Sequence, residues 1–326
     1  MKGLARNLFV LAMAGIFLGA TLIAADEDQN PEAIKHYNDG VEFTKSGDYD
    51  KAVAEFKTSL ELDPDNVQTL YGLGLALRLQ GQLEESIQYL LKAIETNPRY
   101  VEAYWDLGKI YWAQKEYDAA INQFLTITNF GPEAGSKYPK AYFSLGRLYL
   151  LQEKPDQALE ALQMAVAFEP EYAEAHYYIG EVFRKRKELT SAIEAYRQAV
   201  ALDSTDMQSF YRLGLVYKED GQYENAVEAY QTVIKSKSKL AMDSRYRLAE
   251  AYNAMGHYDQ AIIIAEEYLQ RKPNDAKVLM ALGEAHEKLG QYKKAIEAYT
   301  KASRDSKWNQ YATYKIDQLK KYTEEE

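Results

Sequence analysis

Apolar and polar positions recur along the chain with helical spacing, and the stretch from Val101 to Ala134 shows the pattern most clearly. Its apolar side chains lie three, four and seven residues apart, with the small residues Gly108 and Ala120 among them. Such spacing places side chains on one face of a helix. The stretch therefore predicts two short helices joined by a turn, with apolar faces at Tyr104, Leu107, Tyr111, Tyr117, Phe124 and Ile127.

The same pattern returns about every 34 residues through most of the chain. With Val101 as the first place of a repeat, the eighth place holds Gly40, Gly74, Gly108, Gly146, Gly180, Gly214, Ala249 and Gly283. The twentieth place holds Ala52, Ser86, Ala120, Ala158, Ala192, Ala226, Ala261 and Ala295. This register divides the chain into eight repeats, 33–66, 67–100, 101–138, 139–172, 173–206, 207–241, 242–275 and 276–309.

The recurring glycine indicates close helix packing, because a glycine inside a helix costs about 1 kcal/mol relative to alanine. We expect the small residues at the eighth and twentieth places to form the contact between the two helices. Five repeats also close with a proline that stops the second helix, namely Pro64, Pro98, Pro132, Pro170 and Pro273.

On these residues the chain resembles the tetratricopeptide repeat family, from Ala33 to about Tyr322. The resemblance implies an all-α fold, a right-handed superhelical solenoid of about eight helix-turn-helix repeats with a capping helix at its C-terminal end. The phase of the pattern fails after Asn309, so residues 310–326 are interpreted as this capping helix and an acidic tail.

The third repeat is longer than the others, and its extra residues lie between Gly131 and Pro139. Insertions are tolerated in loops, which favours a longer connecting loop. A joint between three N-terminal and five C-terminal repeats remains the alternative.

The first residues of the chain have the pattern of an export signal. Lys2 and Arg6 precede an uncharged, mainly apolar stretch from Asn7 to Ala25. We interpret residues 1–25 as a signal peptide, with an uncleaved membrane anchor through residues 8–25 as the alternative. Residues 26–32 then form a short linker, and the repeats are expected in the periplasm or attached to the inner membrane on its periplasmic side.

Composition and charge limit the classes of function that this chain can have. The net charge is −10, and loss of residues 1–25 would remove Lys2, Arg6 and no acidic residue, giving −12, so a nucleic-acid partner is not expected. The chain has no cysteine, and its four histidines lie in different repeats without metal-ligand spacing. We therefore expect no catalytic residue, no metal and no cofactor.

The family resemblance implies a binding site in a concave groove lined by the first helix of each repeat, at the second, fifth, ninth and twelfth places. Aromatic residues hold most of the fifth places here, and either pack between helices or face a ligand. Basic residues hold groove places in repeats two to six and acidic ones in the last two, although random scatter explains this equally well. The candidate site residues are Tyr71, Arg78, Trp105, Lys109, Trp112, Lys140, Phe143, Arg147, Tyr177, Arg184, Tyr211 and Lys218.

These observations predict a scaffold or adaptor without enzymatic activity that binds a protein or peptide outside the cytoplasm. The alternative is a self-associating or membrane-anchored structural protein of the cell envelope. Trp112 is the residue least easily explained by packing alone, since tryptophan is enriched among the anchors of binding surfaces.

Overall fold

The structure, a computed structural model, describes residues 30–323. This part of the chain contains seventeen α-helices and one short 3-10 helix, and no strand. The predicted all-α repeat fold is confirmed. The chain divides into two compact units, the first ending at Phe168 and the second beginning at Glu169.

The first unit holds four pairs of helices, one pair for each of the first four repeats. In chain order they are α1 (Pro31–Ser46), α2 (Tyr49–Leu62), α3 (Val67–Gln80), α4 (Leu83–Thr96), α5 (Val101–Ala113), α6 (Tyr117–Asn129), α7 (Lys137–Leu151) and α8 (Pro155–Phe168).

The second unit continues the same order with four further pairs and a final helix. They are α9 (Ala173–Lys185), α10 (Leu189–Leu202), α11 (Met207–Glu219), α12 (Tyr223–Lys235), α13 (Ala241–Ala254), α14 (Tyr258–Leu269), α15 (Ala276–Lys288), α16 (Tyr292–Ala302) and α17 (Asn309–Lys320). Odd numbers up to α15 are thus the first helices of the repeats, and even numbers the second helices.

First helices also touch the first helices of neighbouring repeats. In the first unit α1 contacts α3, α3 contacts α5, and α5 contacts α7. In the second unit α11 contacts α13, and α13 contacts α15. The first helices of each unit therefore form a continuous surface, which we call the first-helix face of that unit.

The eighth-place glycine makes room mainly for the residue at the twenty-fourth place. A Cβ added to any of the seven glycines would lie 2.5 to 2.9 Å from that side chain, a ring in five repeats and a leucine in two. The backbone oxygen at the twentieth place is among the three nearest atoms in repeats two and four, at Ser86 and Ala158, whereas in the other five repeats all three are atoms of the ring. The expected contact between two small residues is therefore largely a contact between a glycine and a large buried side chain.

The turn inside each repeat has one residue with positive φ, always at the fifteenth place. Five of these residues are glycines, but Lys115, Glu153 and Lys187 adopt the same left-handed conformation. A side chain there costs backbone strain. The repeated helix pairing therefore imposes the turn even where the local sequence does not favour it.

The insertion in the third repeat is a packed element of the first unit. Residues Gly131–Ala134 form the 3-10 helix, Ala134 is buried, and Glu133 forms an ion pair with Arg99. Helix α7 then begins at Lys137, before Pro139. The boundary between the two compact units lies farther on, at Phe168, and not at this insertion.

Side-chain contacts hold both ends of the described repeat array. Asn30 caps α1, its side chain accepting a hydrogen bond of 3.0 Å from the backbone of Glu32, and the helix begins at Pro31, inside the range predicted as linker. At the other end α17 buries Ala312 and Leu319 against α16 and joins α15 through an ion pair of 2.8 Å between Lys315 and Glu287.

The predicted signal peptide or anchor at residues 1–25 lies outside the described residues, as does the end of the acidic tail. Among the helices of residues 30–323, none combines the length and the apolar character needed to cross a membrane.

Candidate functional site

The predicted groove aromatics fall into two groups by burial. Tyr71, Phe143 and Tyr211 are only 3%, 6% and 9% exposed, so they belong largely to the core. Trp105, Trp112 and Tyr177 are half-buried and keep part of their rings at the surface. The packing explanation therefore accounts for the first three, and the second three can still contact a ligand.

The two tryptophans of α5 lie on either side of one buried ring. The ring of Phe124 in α6 packs edge-to-face with Trp105 at 5.4 Å and with Trp112 at 6.4 Å between centroids. Because Phe124 also fills the space beside Gly108, the helix crossing itself holds both indoles in place. Sequence analysis identified these residues but not this shared support.

A cation from α7 covers each tryptophan. The ammonium of Lys137 lies 5.6 Å from the ring centre of Trp105, and the guanidinium of Arg147 lies 4.7 Å from that of Trp112. Arg147 also lies 5.5 Å from Phe143. Such contacts contribute about 0.5–1 kcal/mol each at exposed sites. We call Trp105, Trp112, Lys137 and Arg147 the tryptophan surface.

Asp106 brings together three of the predicted residues of the first unit. This buried carboxylate accepts a hydrogen bond of 2.8 Å from the hydroxyl of Tyr71 and lies 3.3 Å from Lys109 and 3.7 Å from Arg78. Burial, and then the charge of Asp106, raise the pKa of Tyr71 well above its ordinary range. Lys140, in contrast, is exposed and forms no ion pair within the described chain.

Glu181 has the corresponding role between α9 and α11 in the second unit. It lies 3.0 Å from Arg184 and 3.2 Å from Arg212, and it accepts the hydroxyl of Tyr196. Burial opposes its ionisation, but hydrogen bonds from Arg184 and Tyr196 and the charge of Arg212 outweigh burial and lower the pKa of Glu181. The cluster therefore holds two cations and one carboxylate.

Glu250 repeats this arrangement between α11 and α13. It lies 2.7 Å from Lys218 and 3.1 Å from Arg247 and accepts a hydrogen bond of 2.7 Å from Tyr246. The hydroxyl of Tyr211 donates to Asp243 in the same region. Acidic and basic side chains of the second unit thus pair between neighbouring repeats. The sequence had suggested a separation instead, with basic groove residues in repeats two to six and acidic ones in the last two.

Sequence reasoning did not select Asp106, Lys137, Tyr196, Arg212 or Arg247. One signal was available for part of this set, because Asp106 with Lys109, Glu181 with Arg184 and Arg247 with Glu250 are three residues apart on first helices. Oppositely charged residues at that spacing face each other. Within residues 30–323, no group of three or more histidines and carboxylates could hold a metal ion.

Family models match most of the repeat region. The model described as the C-terminal ARM domain of tetratricopeptide repeat protein 21 covers residues 50–240. Two tetratricopeptide repeat models cover residues 32–66 and 211–276, and the model of subunit 3 of the anaphase-promoting complex covers residues 254–324.

Curated relatives match shorter parts of the chain. The photosystem I assembly protein Ycf3 of Acaryochloris marina is 31% identical over 108 residues, which cover 33% of this chain and 60% of that protein. The BBSome complex member bbs-4 of Caenorhabditis elegans is 32% identical over 78 residues, which cover 24% of this chain and 17% of that protein. The matches thus span less than two thirds of either relative.

Solved structures share the fold at lower identity. A tetratricopeptide repeat protein from Parabacteroides merdae is 15% identical, with a TM-score of 0.54 over 78% of this chain and 99% of that one. The pilF protein of Pseudomonas aeruginosa is also 15% identical, with a TM-score of 0.54 over 64% of this chain and 92% of that one. From the family model that covers residues 50–240, together with the repeat models on either side, the chain belongs to the tetratricopeptide repeat family.

Proposed function

We propose that this protein is a scaffold without enzymatic activity that binds an acidic protein segment on the first-helix face of its first unit, outside the cytoplasm. Membership of a family of repeat scaffolds supports a protein-binding adaptor role. Among the relatives, one is named an assembly protein and another a member of a complex. Both names agree with a role in holding other proteins.

The observation that carries the proposal is the tryptophan surface. Half-buried indoles offer apolar area that a partner can cover with little loss of side-chain entropy, and tryptophan and arginine dominate the strongest contacts of protein interfaces. Since Lys137 and Arg147 already lie on the indole rings, a carboxylate that pairs with either cation also comes to rest beside an aromatic surface.

Local charge favours an acidic ligand at this place. Lys137, Lys140 and Arg147 lie on or beside the tryptophan surface. Lys109, which follows Trp105 by one turn of α5, already lies 3.3 Å from the buried carboxylate of Asp106. The whole chain is acidic, with a net charge of −10, which repels an acidic partner at long range. Screening reduces this repulsion beyond about 8 Å at physiological salt, so the nearby cations decide the sign of the interaction.

Selection of random short peptides on the immobilised full chain tests the proposal. We expect peptides rich in aspartate and glutamate with at least one apolar residue, and their binding should change the fluorescence of Trp105 and Trp112. Trp112→Ala should weaken the binding of a selected peptide by about 2 kcal/mol, roughly thirty-fold, because it removes both the apolar area and the support of Arg147.

Charge reversal separates a local effect from the overall charge. Arg147→Glu should slow association and reduce its dependence on salt, whereas Lys154→Glu, in the exposed turn after α7, makes the same change in net charge and should have little effect. Selection of basic peptides, or equal binding by both variants and the parent, contradicts the proposal. A stable oligomer by light scattering would favour the structural alternative.

The location outside the cytoplasm rests on the export pattern of residues 1–25. Alkaline phosphatase needs its disulfides to be active, and these form in oxidising compartments. A fusion placed after Asn30 should therefore be active, and the same fusion without residues 1–25 should be inactive. Equal activity of the two fusions would show that this segment does not direct export.

A further inference from the structure

A cavity of about 760 Å³ opens between the second helices of the first two repeats. Its apolar part is formed by Leu60 of α2, Pro64, Leu70 of α3 and Tyr89 of α4. Its size is within the range of about 300–1,000 Å³ that is usual for ligand sites. None of its lining residues belongs to the tryptophan surface.

At this cavity the second repeat lacks two rings that the next two repeats possess. In repeat three the fourth and thirtieth places hold Tyr104 and Phe130, whose rings pack edge-to-face at 5.5 Å. In repeat four these places hold Tyr142 and Phe168, whose rings stack at 6.3 Å. The second repeat has Leu70 and Thr96 there, and both line the cavity.

The missing ring also leaves a backbone acceptor unused. The hydroxyl of Tyr104 donates a hydrogen bond of 3.1 Å to the carbonyl of Pro98, which closes the preceding repeat. In the second unit, Nε2 of His176 contacts the carbonyl of Pro170 in the same way at 3.0 Å. Leu70 has no donor, and no hydrogen bond from the described chain reaches the carbonyl of Pro64.

The rim of the cavity is charged, with an excess of carboxylates. The rim contains three carboxylates, those of Glu61, Asp65 and Glu95, and two lysines, Lys57 and Lys92. None of these five residues forms an ion pair within residues 30–323. Lys92 lies 5.2 Å over the ring of Tyr89. A partner segment with positive charge therefore complements this rim, in contrast to the acidic segment expected at the tryptophan surface.

We propose that this cavity is a second docking site, for a basic protein segment that presents a tyrosine. The partner ring takes the place that Tyr104 and Tyr142 fill in the next two repeats, its hydroxyl donates to the carbonyl of Pro64, and flanking lysines or arginines pair with Glu61 and Glu95. The site is independent of the proposed function, because it lies on the second helices and binds the opposite charge.

The probe is acetyl-Lys-Gly-Tyr-Gly-Lys-amide, titrated into the full chain with labelled leucine and threonine methyl groups. We expect saturable shifts of the methyl resonances of Leu60, Leu70 and Thr96 in the nuclear magnetic resonance spectrum. The same peptide with alanine in place of tyrosine, or with glutamate in place of both lysines, should bind at least ten-fold more weakly.

Two substitutions fill the cavity from opposite sides. Leu70→Tyr introduces, on α3, the ring that Tyr104 and Tyr142 supply in the next two repeats. Thr96→Phe introduces, at the exposed end of α4, the ring that Phe130 and Phe168 supply there. Each substitution should weaken binding of the probe peptide at least ten-fold. Asn122→Tyr, exposed on α6 and outside the cavity, is the matched control and should bind as the parent does, as should Trp112→Ala. The proposal is overturned if these methyl groups show no saturable shift, or if the folded Thr96→Phe variant binds like the parent.

Discussion

The sixth and seventh repeats, neighbours in the second unit, pack their two helices with different residues. In the sixth, Gly214 lies against the ring of Tyr230, and a Cβ on the glycine would come within 2.6 Å of that ring. In the seventh, the corresponding residues are Ala249 and Ala265, both buried. The aromatic ring of the seventh repeat is instead Tyr268, three residues farther along its second helix, in the same core cluster as the two alanines.

The comparison shows that the eighth and twenty-fourth places act as a pair. A glycine is required where the facing residue is a ring or a leucine, and an alanine fits where the facing residue is itself an alanine. The seventh repeat lacks the glycine because its large side chain has moved to another place. The total volume at the crossing, rather than the glycine itself, is what the packing constrains.

The largest expected effect comes from exchanging one arrangement for the other in the sixth repeat. Tyr230→Ala should lower the free energy of unfolding by about 3–5 kcal/mol, as other large-to-small changes in a core do. Gly214→Ala should lower it by about 1–3 kcal/mol, because the added methyl group overpacks the helix crossing. The double variant recreates the alanine pair of the seventh repeat, so its cost should fall below the sum by about 1–2 kcal/mol. Urea unfolding with amide hydrogen exchange of α11 and α12 measures these changes.

Gly221→Ala provides the control for this cycle. Gly221 lies in the turn with a φ of 78° and no neighbouring atom within 4 Å of an added Cβ. Its substitution should cost about 1–2 kcal/mol of backbone strain and add to the effect of Tyr230→Ala. If the costs at Gly214 and Tyr230 were also additive within about 0.5 kcal/mol, the two places would not form a pair.

A smaller effect separates the fifth repeat from the sixth. Both have a buried tyrosine at the twenty-fourth place, but the hydroxyl of Tyr196 donates to Glu181 whereas that of Tyr230 has no hydrogen-bond partner in the described chain. The ninth place explains the difference, because Leu215 stands in the sixth repeat where Glu181 stands in the fifth.

Tyr196→Phe should therefore lower the free energy of unfolding by about 1.5–3 kcal/mol, the range for a hydrogen bond to a charged group. Tyr230→Phe should leave the free energy of unfolding unchanged or raise it, because its hydroxyl has no hydrogen bond to lose. Because the folded pKa of Glu181 is lowered, its contribution is present above the unfolded pKa of about 4.3 and is lost as the pH falls through the folded value.

Unfolding midpoints measured at neutral pH and at a series of acidic pH values check both statements. The cost of Tyr196→Phe should shrink as the pH falls through the folded pKa of Glu181, because the protonated carboxyl no longer accepts a charge-assisted bond, and the effect of Tyr230→Phe should not change. Equal costs for the two variants at neutral pH would show that the hydroxyl of Tyr196 makes no net contribution.

The candidate site was predictable only in part. Resemblance to the family indicated which places of the first helices face outward, and Trp105 and Trp112 are indeed half-buried at such places. The same reasoning selected Tyr71, Phe143 and Tyr211, which are buried. A place in the repeat fixes the direction in which a side chain leaves its helix, but burial also depends on the neighbouring helix.

By itself, the sequence determined the class of the fold, the repeat length and the helical places, because these follow from short-range periodicity and from glycine and proline at fixed positions. Tertiary structure decided which residues meet across helices: the ring beside each glycine, the partners that Asp106 and Glu181 find on neighbouring helices, and the cavity beside Leu70. These contacts join residues about 10 to 35 positions apart on different helices. Each depends on the volume and charge of both partners, and a pattern read along one helix contains only one of them.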